Sequence, residues 1–119
     1  MPYVILDHWA LRDLQRFKEF LLPKGADLAG RAREAILYRL FFLEDSPYKG
    51  KPVQGLPEEY RRLVIKFGKG ERGYRRGYAA IYRVDGERVT VLTMKRALEK
   101  DFPRSVDEIR QRGAADDGA

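Results

Sequence analysis

Apolar residues recur every three to four positions between Trp9 and Leu43, and every second position after Tyr60. A helical period cannot double as a strand period, so the chain must build helices first and a sheet after them. From Trp9 to Leu22 the apolar positions are Leu11, Leu14, Phe17 and Leu21, with Arg12, Asp13, Arg16, Lys18 and Glu19 between them. That spacing predicts an amphipathic helix with one buried face, and Pro23-Lys24-Gly25 ends it. Asp27 is placed to cap a second helix, striped by Leu28, Ala32, Ile36, Leu40 and Leu43. Glu44-Asp45-Ser46-Pro47 stops this helix, because proline cannot continue it. The short link makes the two an antiparallel hairpin.

Tyr3–Leu6 reads as a strand ahead of the helices. Residues 46–58 are turn-rich, with Pro47, Gly50, Pro52, Gly55 and Pro57. Tyr60–Phe67 then alternates, with Leu63, Ile65 and Phe67 on one face and Arg62, Val64 and Lys66 on the other. Tyr78–Val84 and Arg88–Met94 are two further strands, and Asp85-Gly86 is the hairpin signal between them. Ser105-x-x-Glu108 has the form of a capping box before a short helix, and Gly113–Ala119 reads as a frayed tail. The expected fold is α+β in the order β-α-α-β-β-β, an antiparallel sheet with a helical hairpin on one face. Residues 1–104 form the domain, and 105–119 the short helix and tail.

With 119 residues and 44% hydrophobic composition, one domain with its own core is expected. The absence of cysteine removes disulfide scaffolds, thiolate metal sites and cysteine nucleophiles. No run approaches the roughly 18 apolar residues of a membrane span, and the N-terminus lacks the basic and apolar regions of a signal peptide. A cytoplasmic protein with no membrane role is expected. The net charge is +6, and residues 61–76 alone hold seven basic residues against one acid, Glu71. Such a local excess draws anions and favours nucleic acid or an acidic protein partner over a solvated face with no ligand only about evenly.

Several motifs fail on context. Gly68-Lys69-Gly70-Glu71-Arg72-Gly73 matches G-x-G-x-x-G but leads into a strand, so no helix N-terminus is available for a pyrophosphate. It reads instead as a glycine-rich hairpin loop with anion-binding character, where Tyr74 and Tyr78 can stack on bases. His8 is the only histidine, which leaves no usual zinc site. It has no serine partner outside turns and caps. Trp9 beside it is expected in the core. Glu58-Glu59 and Asp116-Asp117 read as solvated acids. What remains is Lys and Arg on a sheet. Arg62 and Lys66 share one face of a strand, Arg83 lies on the middle strand, and Lys95 and Arg96 lie just past the last one. A convergent cluster of this kind binds a phosphodiester, and arginine stabilises its transition-state charge. A crowded lysine, its pKa depressed, can act as a base toward a ribose hydroxyl. No metal or cofactor is expected.

Three stretches carry a resemblance: Ala10-Leu11-Arg12-Asp13-Leu14 with Phe17-x-x-Phe20-Leu21, then Gly50-Lys51-Pro52-Val53-x-Gly55-Leu56-Pro57 with Arg62–Gly68, then Gly77–Val89. In this order the chain resembles the RelE/ParE superfamily of type II toxins from Tyr3 to about Phe102. The resemblance implies a toxin silenced by an antitoxin that wraps it. RelE-like members cleave mRNA on the ribosome, and ParE-like members inhibit DNA gyrase. Lys66 falls where RelE-like members place a basic residue on the second strand, and Lys95-Arg96 where they carry basic residues after the last strand. With Arg83 and the basic loop read from the residues themselves, catalytic roles are expected for Lys66, Arg83 and Arg96, and target or nucleic-acid binding by Arg62, Lys69, Arg72, Arg75, Arg76 and Lys95. The chain departs from the RelE pattern at three places. Phe102 stands where many members have tyrosine, Ala79 where an arginine is expected, and Lys95-Arg96-Ala97 where arginine, histidine and glutamine are usual. On the sequence we rank ribosome-dependent mRNA cleavage, metal-independent, ahead of gyrase inhibition, and a degenerate antitoxin-binding member third. Cleavage requires Lys66, Arg83 and Arg96 to share one face.

Overall fold

The computed structural model describes residues 1–68 and 77–117, with side chains as far as Gly113. The loop residues Lys69, Arg72, Tyr74, Arg75 and Arg76 therefore lie outside the described residues. Strand β1 (Tyr3–Leu6) runs into helix α1 (His8–Leu21), and helix α2 (Ala26–Phe41) folds back beside it. Strands β2 (Lys51–Pro52), β3 (Tyr60–Ile65), β4 (Tyr78–Asp85) and β5 (Arg88–Arg96) follow, and helix α3 (Val106–Asp117) ends the chain.

The α+β class holds, with one change in the sheet. Its order is β1-β5-β4-β3-β2. β2 to β5 pair antiparallel, but β1 pairs with β5 in parallel, Tyr3 opposite Arg88 and Leu6 opposite Val91. The helical hairpin and three strands intervene between these partners, which is the long crossover that parallel pairing needs. The extra strand β2 is a pair of residues at the sheet edge, where a proline is tolerated.

The hairpin packs on one face of the sheet. Its core joins Leu14, Phe17, Ile36 and Leu40 to Leu63, Ile65, Tyr82, Val89 and Val91. The stripe of α2 is as expected, although Leu28 is only partly buried. The stripe of α1 is rotated: Ala10, Asp13, Leu14, Phe17 and Leu21 are buried, and Leu11 is exposed. Gly25, not Asp27, is the N-cap of α2, and Asp27 stands in its first turn, where its charge suits the helix dipole. The β4–β5 turn is Gly86-Glu87, closed by the Asp85–Arg88 pair. Gly86 takes a φ of 61°, the left-handed value that a turn of this kind needs at its first central position.

The far face carries a second, smaller core of Tyr60, Ile81, Leu92 and Ile109, with Val53, Leu56 and Phe102 against it. Ile109 comes from α3, which is longer than the short helix expected. Its capping box forms: the Ser105 N–H donates to Glu108 Oε1 at 3.3 Å, and the Glu108 N–H to Ser105 Oγ at 3.1 Å. Trp9 is half-buried and not in either core. Among the described residues no helix is long and apolar enough to cross a membrane.

Candidate functional site

One irregularity decides where the basic residues point. Between β4 and β5 the register jumps, with Ile81 opposite Thr93 and Tyr82 opposite Val91. Leu92 is left over as a bulge residue. A bulge shifts the side-chain alternation by one. Before it, Val89 and Val91 face the hairpin; after it, Met94 does. Lys95 is thereby turned to the far face and Arg96 to the hairpin face. Both are inside β5, not beyond it.

On the hairpin face the Arg96 guanidinium lies 3.9 Å from the Phe20 ring centroid, and Lys24 Nζ lies over the same ring at 4.2 Å. Together they line a groove with Leu28, Arg31, Tyr78 and Leu98. The Tyr78 phenol sits above its ordinary pKa because burial outweighs the opposing pull of Arg96.

On the far face Arg62 and Lys95 converge. Each places its charge 5.7 Å from the Phe102 ring centroid. Arg62 is exposed, whereas Lys95 is only 8% exposed and donates to the Glu99 carbonyl at 2.7 Å. Arg83 is on this face too, but deeper. It is 6% exposed, donates to the Gly113 carbonyl of α3 at 3.3 Å, and bonds Asp85 Oδ2 at 3.4 Å. Lys66 is exposed just past the end of β3.

The expected convergence of Lys66, Arg83 and Arg96 is therefore not present: Arg83 and Arg96 are on opposite faces of the sheet. Of the residues named for binding, Arg62 and Lys95 come together around one ring. Lys69, Arg72, Arg75 and Arg76 lie outside the described residues. Among the described residues no group of three or more His, Cys, Asp or Glu side chains could hold a metal ion.

The sequence reading overlooked the carboxylates that organise the β5 edge. β1 ends opposite Val91, which leaves the edge beyond it without a strand partner. Side chains close it. Asp13, 4% exposed, accepts from the Met94 N–H and the Thr93 hydroxyl, both at 2.9 Å. Glu99 accepts from the Arg96 N–H at 3.1 Å and from Arg16 Nη1 at 2.6 Å. Burial opposes the charge on Glu99, but the hydrogen bonds of Arg16 and the Arg96 N–H, with both guanidinium charges, outweigh it and hold its carboxyl below the usual range. Asp13 had a signal: it falls on the buried stripe between Ala10 and Phe17.

Three comparisons bear on what this surface belongs to. No curated relative matches the chain. Among solved structures, the fold is similar to a chain of the chromosomal ParDE toxin–antitoxin system from P. aeruginosa, with a TM-score of 0.60 at 20% identity over 81% of this chain and 96% of that one. A family model described as the ParE toxin of the type II toxin–antitoxin system, parDE, matches residues 4–102. That match runs from β1 through β5 to Phe102, so the chain belongs to the ParE toxin family of type II toxin–antitoxin systems.

Proposed function

We propose that this toxin acts as a protein-docking inhibitor of DNA gyrase in the cytoplasm, held silent by a cognate antitoxin, and not as a ribonuclease. The observation that carries this reading is the separation of the cations. Transition-state stabilisation needs groups fixed around one reacting phosphate. Arg83 is buried under α3, Arg96 stacks on Phe20 across the sheet, and Lys95 is tied to a backbone carbonyl. Phe102, where a proton-carrying tyrosine is common in RelE-like members, has no proton to give. Membership in the ParE family supports the same choice, and it reverses the ranking made from sequence.

Purified toxin added to purified gyrase should inhibit supercoiling of relaxed plasmid in a dose-dependent way. Unchanged supercoiling at saturating toxin would remove the proposal. The second reading, ribosome-dependent mRNA cleavage with Lys66, Arg83 and Arg96 in catalysis, has one observation in its favour. Arg62 and Lys95 beside the Phe102 ring make a surface on which a base can stack and a phosphate can bind. Cleavage of ribosome-bound mRNA by the toxin alone would select it.

A further inference from the structure

The groove on the hairpin face is assembled from both helices, the link between them, and the ends of β3, β4 and β5. Its volume is about 760 Å³, within the roughly 300–1,000 Å³ of small-molecule sites. The lining divides by chemistry. Leu21 and Tyr78 are buried, and Leu28 and Phe67 are half-buried against the core. Phe20 and Leu98 extend this apolar surface where it meets water, 41% and 71% exposed. A mostly apolar lining with a few placed charges is the pattern of a ligand site.

The charges are of one sign. Lys24, Arg31 and Arg96 line the groove, and among the described lining residues there is no carboxylate. Tyr78 adds no negative charge, because burial holds its phenol above the ordinary pKa. Little of the positive charge is neutralised nearby. Among the described residues Lys24 makes no ion pair; it lies over the Phe20 ring instead. Arg96 shares the one carboxylate of Glu99 with Arg16. Arg31 pairs with Asp27 along α2, but both side chains are exposed, and such pairs are weak. Lys24 and Arg31 are exposed and Arg96 is half-buried, so the cations stand where the apolar lining meets solvent.

This arrangement selects its ligand. A small polar anion would leave the apolar lining wet, and a neutral lipid would leave the cations without a counter-charge. A nucleobase carries edge donors and acceptors that Leu21, Leu28 and Phe67 cannot pair, and burying them unpaired is unfavourable. A hydrocarbon chain needs no hydrogen bonds, and each methylene removed from water adds affinity. We propose that the groove is a binding site for a single-chain amphipathic anion of the fatty-acid class. Its tail lies on Leu21, Leu28, Phe67 and Tyr78, and its carboxylate is held by Lys24, Arg31 and Arg96.

Decanoate is the probe. Titrated into the full-length toxin, it should shift the amide resonances of Leu21, Leu28 and Tyr78 saturably and leave those of Tyr60 and Ile109 on the far face in place. Decanol keeps only the tail and acetate only the head, so each should bind at least about tenfold more weakly. Lys24→Glu changes an exposed side chain and should weaken decanoate at least about tenfold, with circular dichroism unchanged. Leu98→Asp, at an exposed apolar position, should do the same. Shifts confined to other surfaces, acetate or decanol binding as well as decanoate, or undiminished binding by both variants would overturn the site. Should decanoate fail to bind while Lys24→Glu loses inhibition of supercoiling, the groove belongs to an acidic protein segment and the proposal falls. Sedimentation with phosphatidylglycerol vesicles, without decanoate binding, would give the groove to a membrane surface and overturn it equally. Decanoate binding is read without gyrase, so the functional reading can fail while this one stands.

Discussion

At Asp13 a single carboxylate accepts from the Met94 N–H and the Thr93 hydroxyl in a site closed to water. Asp13→Ala leaves both donors without their acceptor and should cost about 2–3 kcal/mol of stability. The check is urea denaturation, with a lower midpoint at an unchanged slope. Asp13→Asn keeps one acceptor oxygen and should lose less. Glu99 adds a pH dependence. Its folded carboxyl binds a proton less readily than the unfolded one, so its contribution is present above the ordinary glutamate range and fades as pH falls through that range toward the folded value. Glu99→Gln should therefore be less stable than wild type at neutral pH, with the gap closing in acid. A gap that persists unchanged at acid pH would assign the effect to lost packing. Gly50 has the tightest backbone approach of the connector: its N–H donates to Tyr82 Oη at 2.9 Å, and a Cβ would meet the Arg62 carbonyl at 2.6 Å. That contact explains why a small residue is needed where β2 joins the sheet.

At the scale of elements, α1 is held by Phe17, which is 2% exposed and packs against Tyr78 with tilted rings, their centroids 4.7 Å apart. Phe17→Ala should cost about 3–5 kcal/mol, read from thermal or urea unfolding, whereas Leu11→Ala on the exposed side should cost little. This contrast marks how far the sequence could be read. The helices, the β4–β5 hairpin and the capping box at Ser105 were legible, because period, turn chemistry and caps are local signals. The rotation of α1 was not, because a buried aspartate breaks the apolar count and Leu11 imitates a core position. The parallel β1 was hidden too, since pairing between residues so far apart leaves no local trace. The bulge at Leu92 mattered most for the site. It looks like one more apolar residue in a strand, yet it exchanges the faces of Lys95 and Arg96, so that Lys95 and not Arg96 joins Arg62 and Arg83 on the far face. The basic residues were visible in the sequence; their grouping depended on that one extra residue.

For the molecule as a whole, the ParE match over residues 4–102 and the split of the cations between two faces lead to the same expectation: toxicity through docking, with no RNA chemistry. Phe102→Tyr restores a phenol at the place where RelE-like members have one. It should confer no cleavage of ribosome-bound mRNA, because Arg96 still lies across the sheet from Arg83; appearance of cleavage products would show that only the missing hydroxyl stood in the way. The most direct test follows induction of the toxin without antitoxin in a sensitive host, with labelled thymidine and labelled methionine incorporation measured over the first minutes. Thymidine incorporation should fall first while protein synthesis continues. An earlier fall in methionine incorporation would contradict gyrase docking and return the Arg62–Lys95–Phe102 surface to the ribosome.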